Sequence, residues 1–64
     1  MKTVFKMQNQ AGAMQLAAKL VLLNKTFSVT YCENKVIVFE AETDDSVKLL
    51  KLASILEGRD VVEN

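Results

Sequence analysis

AGAMQLAAKLVLLNKTFSVTY, from Ala11 to Tyr31, is the stretch that decides the fold. One hydrophobic period gives way to another inside it. Up to Leu23 the apolar residues recur at helical spacing, with Leu16, Ala17, Leu20, Val21 and Leu23 on one broad face. From Thr26 they alternate, Phe27, Val29 and Tyr31 on one side and Thr26, Ser28 and Thr30 on the other. That is the period of a half-buried strand. Asn24-Lys25 makes the turn between the two. Ala13, Met14 and Leu22 extend the helix's apolar surface beyond what one sheet can cover.

Working outward, Lys2–Met7 alternates as well, with Thr3, Phe5 and Met7 on one face and Lys2, Val4 and Lys6 on the other. Gln8 to Gln10 form a loop with Asn9 as the capping residue, and the first helix is expected over about Gln10 to Leu23. Cys32 to Lys35 is a short hairpin turn in which Asn34 suits the left-handed conformation. Val36–Ala41 is apolar on both faces, as a central strand is. Ile37, Phe39 and Ala41 point inward, and Val36, Val38 and Glu40 outward. Thr43 is the expected N-cap of a second helix, with Asp44 and Asp45 at the positive end of its dipole. Leu49, Leu52, Ala53 and Leu56 face the sheet with Leu50 beside them, and Lys48, Lys51 and Ser54 lie opposite. Gly58 ends the helix. Arg59 to Asn64 is expected to be a flexible tail, leaving residues 1–58 as one domain.

The element order is therefore β-α-β-β-α. A strand-helix-strand crossover is right-handed, and a third strand inserted between the first two runs antiparallel to both. The expected fold is α+β: a two-layer open-faced sandwich with a three-stranded antiparallel sheet of order 1-3-2 and two helices on one face. The other face, bearing Val4, Val36, Val38, Ser28 and Thr30, is open.

Composition narrows the function. A chain of 64 residues buries only about 60% of its unfolded surface. Half of the residues are hydrophobic and none is proline, which argues against disorder. Cys32 is the only cysteine and histidine is absent, so there is neither a disulfide nor a nitrogen–sulfur metal site. A reducing cytoplasm is the expected setting. MKTVFKMQNQ lacks the apolar core of a signal peptide, and no run reaches the ~20 apolar residues of a membrane span. Net charge is zero but divided. Up to Lys35, five lysines against Glu33 leave +4; beyond it, three cations against seven carboxylates leave −4. Such polarity favours either a fold that brings the halves together or an oriented partner.

The helix-to-strand stretch resembles the phosphoryl-site segment of the HPr phosphocarriers. That family runs Gly-Leu-His-Ala-Arg-Pro-Ala-Ala where this chain has Ala11, Gly12, Ala13, Met14, Gln15, Leu16, Ala17 and Ala18. VIVFEAETDDSVKLLKLASILEG resembles the family's last strand, acidic turn and C-terminal helix, and Cys32–Lys35 stands in place of an intervening strand and short helix. The resemblance implies a shortened HPr-like domain without the family's chemistry. Ala13 falls on the phosphorylated histidine, Gln15 on the supporting arginine and Leu16 on the proline, and the regulatory serine has no counterpart. It also implies a first helix that docks a protein partner, and the small size suggests a bacterial or phage-encoded regulator.

The residues themselves offer no catalytic constellation. General base work near neutral pH needs histidine or a strongly perturbed group. Glu40, Glu42, Asp44 and Asp45 lack the ligand loop of a calcium site and instead cap a helix and end a strand. Cys32 has Glu33 beside it, which opposes thiolate formation. Ser46 lies where free backbone N–H groups would tolerate a phosphate, although an ordinary helix-start serine is the simpler account. An open sheet could stack bases, but Phe5, Phe27, Tyr31 and Phe39 fall on the core-facing side and the neutral charge removes the electrostatic drive. The expectation is a non-enzymatic protein–protein interaction module with no cofactor or metal: a regulator, inhibitor or adaptor. It would dock through Ala13, Met14 and Leu22 on the first helix or Val4, Val36 and Val38 on the open sheet face. A homodimer with sheet packed on sheet is the main alternative, and a nucleic-acid-binding domain the second.

Overall fold

The computed structural model describes all 64 residues. The elements are β1 (Lys2–Met7), α1 (Gln10–Leu22), β2 (Phe27–Tyr31), β3 (Ile37–Glu42) and α2 (Ser46–Glu57). β3 lies between β1 and β2 and is antiparallel to both, so the sheet order is β1-β3-β2. This is the α+β open-faced sandwich that the hydrophobic periods predict. The register aligns Thr3, Phe5 and Met7 with Ala41, Phe39 and Ile37. All six side chains are buried beneath Ala13, Leu16, Leu20, Leu49 and Ala53 of the helices. At the centre the rings of Phe5 and Phe39 stack 5.2 Å apart.

The two helices run antiparallel and touch closely. Gly12 faces the end of α2, where a Cβ would lie 2.2 Å from the Leu56 carbonyl oxygen. Asn9 caps α1, its side chain accepting from the Gly12 N–H at 3.0 Å. A second acceptor comes from across the molecule. The side chain of Glu57, nearly all buried, accepts from the N–H of Gln8 and of Asn9 at 2.9–3.1 Å. The last residue of α2 thus carries the negative charge that the start of α1 lacks in its own first turn.

Several local expectations are corrected. Asp45, not Thr43, caps α2, accepting from the Lys48 N–H. The Thr43 hydroxyl accepts from the Asp45 N–H and fixes the approach instead. In the hairpin turn the left-handed residue is Lys35 rather than Asn34. The Lys35 N–H closes the turn on the Cys32 carbonyl, and the Asn34 side chain accepts from the Val36 N–H. Ser54 does not face solvent. Its hydroxyl accepts from the Val61 N–H at 2.8 Å.

Residues 59–64, expected to be loose, are pinned. Val61 is 8% exposed and joins the core. Glu63 bridges to Phe5, and the Asn64 N–H donates to the Val4 carbonyl. The outer edge of β1 is therefore partly covered, and Val61 supplies apolar area that a short chain needs.

Candidate interaction surface

The helix layer is too narrow for the sheet. α2 packs on β1 and on α1, and Gly12 lets the two helices approach closely. β2 is left at the side. Val29 and Tyr31 are paired with Phe39 and Ile37, so they lie on the helix face of the sheet. Alternation alone predicts them buried, yet they are 43% and 55% exposed.

The flank of α1 toward β2 is apolar too. Gly12 marks the side that meets α2, and Lys19 and Leu23 line the groove between the helices. Met14, Ala17 and Val21, at i, i+3 and i+7, lie on the opposite flank. Met14 and Val21 are 72% and 63% exposed, and Leu22, farther from the sheet, 83%. β1 leads into the start of α1 and β2 leaves from its end. Met7 and Tyr31 both pair with Ile37, which sets Met14, in the first turns of α1, near the end of β2 that carries Tyr31. Together these side chains form one apolar shoulder beside the uncovered strand.

The residues expected from sequence to meet a partner divide into three groups. Met14 and Leu22 are exposed as anticipated. Ala13 is not available, because it is 4% exposed inside the core. Its position between Gly12 and Leu16 faces the sheet, and its short side chain lets α1 lie close. Val4, Val36 and Val38 are half-buried on the sheet face away from the helices. There they stand among Lys2, Lys6, Ser28, Thr30 and Glu40, so that face is mixed rather than apolar. Lys2 Nζ lies 3.1 Å from Glu40 Oε1 and 59% of its side chain is exposed. This hydrogen bond and charge hold the Lys2 ammonium above the ordinary lysine value. Helical spacing puts Val21, and alternation puts Val29 and Tyr31, on core-facing sides, yet all three are exposed.

No other site competes. A groove between the end of α1 and the start of α2 carries Lys19, Lys25 and Lys48 against Glu42, Asp44 and Asp45 over an apolar floor. No group of three or more histidine, cysteine, aspartate or glutamate side chains converges as metal ligands would. Cys32 is free and half-buried. The aromatic side chains are absent from the open sheet face. No helix is long and apolar enough to cross a membrane. The fold and surface define a small open-faced α+β domain with an incompletely covered edge strand. Comparison with protein-family models, curated proteins and solved structures finds no match for the chain.

Proposed function

We propose that this chain is a non-catalytic protein–protein interaction module, a regulator, inhibitor or adaptor, built on a shortened scaffold of the phosphocarrier kind. The observation that carries the reading is the shoulder formed by Met14, Val21, Val29 and Tyr31. Their apolar side chains are all exposed, Met14 and Val21 on the flank of α1 away from α2 and Val29 and Tyr31 on the helix face of β2. Contiguous apolar surface on a small domain is an interface feature.

Two further observations support a binding role over phosphoryl transfer. Ala13, which aligns with the reacting histidine of the resembling family, is turned into the core. The start of α1 already holds an anion of its own in the Glu57 carboxylate. A helix start occupied in this way offers less to an incoming phosphate.

The test is affinity capture from lysate of the native host with the wild type and with Met14→Asp. Met14 is exposed, so the variant keeps its fold, verified by circular dichroism. The wild type should retain a specific protein, either a second copy or a foreign one, and the variant should lose it. Equal retention by both would remove α1 from the interface. A phosphorylated product on incubation with the phosphotransferase system's first enzyme and phosphoenolpyruvate would refute the non-catalytic reading.

A further inference from the structure

The two edges of the sheet are treated differently. β1 has the Asn64 N–H on its Val4 carbonyl and a bridge from Phe5 to Glu63. β2 has no neighbour on its outer side. The Glu42 N–H donates to the Thr26 carbonyl, and the Cys32 N–H to the Val36 carbonyl. Alternation in an antiparallel ladder then turns the backbone groups of residues 26, 28, 30 and 32 toward β3. Those of Phe27, Val29 and Tyr31 point outward and are unpaired. Natural edge strands are commonly blunted by a charge, a proline or a bulge. Phe-Ser-Val-Thr-Tyr contains neither charge nor proline, and its register against β3 runs without interruption.

We propose that a second copy of this chain pairs antiparallel with β2 about a two-fold axis through Val29, giving a continuous sheet β1-β3-β2-β2-β3-β1. The inference rests on the interaction reading above and names the partner. In this register Val29 meets Val29 and Phe27 meets Tyr31 of the partner copy, all of them residues whose backbone groups point outward. Each such pair exchanges both of its hydrogen bonds. Opposed residues share a face, so Phe27, Val29 and Tyr31 of both copies form one apolar strip on the helix side. Ser28 meets Thr30 on the other side.

Charge selects this register. Lys25 and Glu33 flank the strand at equal distance from Val29, so each lysine lies opposite the partner copy's glutamate. Neither residue is in an ion pair within its own chain. Moving the axis to Thr30 sets Lys25 against Lys35. Moving it to Ser28 sets Lys25 against Tyr31. Only the axis through Val29 gives opposite charges at both ends, and like charges across a pair disfavour the neighbouring register.

Sedimentation velocity from micromolar to millimolar concentration tests the inference on the full chain. The wild type should self-associate. Lys25→Glu alone, which creates facing carboxylates at both ends, should raise the dimer dissociation constant about tenfold, and so should Glu33→Lys alone. The double variant Lys25→Glu/Glu33→Lys should return it to within about threefold of the wild type, and the single-variant effects should shrink at high salt. Val29→Pro removes an outward N–H without touching the ladder to β3. It should give a monomer while circular dichroism stays native. Recovery in the double variant cannot come from a folding defect, so the charge swap decides the matter even if the proline variant unfolds. A wild type that stays monomeric at millimolar concentration overturns self-pairing and leaves the interaction reading to the capture experiment. A dimer indifferent to the charge changes and lost only in Met14→Asp overturns the edge register and keeps α1 as the interface.

Discussion

The sign of one substitution tests the helix layer on which the exposed shoulder depends. Gly12→Ala would place a methyl carbon 2.2 Å from the Leu56 carbonyl oxygen and 2.8 Å from its carbon. Ordinary contact begins near 3.4 Å, so the helices must part locally by the difference, roughly 1.2 Å. The obstacle is backbone at the end of a capped helix and cannot rotate away. Overpacking of this kind costs about 1–3 kcal/mol. Against it stands the gain from alanine in a helix, at most about 1 kcal/mol. The cap is untouched, because the residue-12 N–H still donates to the Asn9 side chain. A net loss of about 1–2 kcal/mol is expected from a domain of this size holding about 3–5 kcal/mol. The melting temperature should fall by about 5–15 °C. Thermal unfolding followed by circular dichroism at 222 nm, roughly the helix minimum, reads this directly. An exposed helix start would respond in the opposite direction. A rise in melting temperature on Gly12→Ala would therefore refute the close crossing of α1 and α2, and with it the account of why β2 is uncovered.

Two further outcomes test the interior. The Thr3 hydroxyl is buried and has no hydrogen-bond partner, so Thr3→Val should stabilise the protein by about 1 kcal/mol in urea denaturation; a loss instead would mean that the hydroxyl is satisfied. Val61→Ala should cost about 1–2 kcal/mol if the tail is packed as described, whereas a change below about 0.5 kcal/mol would mark residues 59–64 as loose after all.

The strands were legible because period two leaves little freedom. Phe5, Met7, Ile37, Phe39 and Ala41 all lie where alternation puts them. The apolar run on both faces of β3 marked the central strand. Helix spans followed from the 3.6 period, and Gly58 adopts the left-handed cap expected of it. What failed depended on contacts far apart in sequence. Whether Val29 and Tyr31 are covered turns on the distance between two helices, which a single strand's pattern does not encode. Gly12 carried the signal, since a glycine in an Ala-rich helix face permits close approach, but not which element approaches. Glu57 reaches Gln8 and Asn9 over 49 and 48 residues, and no local period announces that. Thr43 and Asp45 are both competent caps, and the sequence does not distinguish Asp45, which accepts from the Lys48 N–H, from Thr43, which accepts from the Asp45 N–H. The tail deceived because one buried valine in a polar segment resembles chance.

The placement of Glu57 also orders events in time. Residues near the beginning of the chain obtain their final partners from residues near its end: Gln8 and Asn9 from Glu57, Val4 from Asn64. During synthesis β1 and α1 emerge first, but α1 then lacks the carboxylate at its start and β1 lacks both its central neighbour and its edge cover. A chain cut before Glu57 would lack the carboxylate that accepts from Gln8 and Asn9, the cover on the Val4 carbonyl, and Val61 from the core. Long loops must close before those contacts return any free energy. Docking of residues 57–64 therefore closes contacts that the first elements cannot make among themselves, and a chain cut before Glu57 should be more open to aggregation and proteolysis than one that carries these residues.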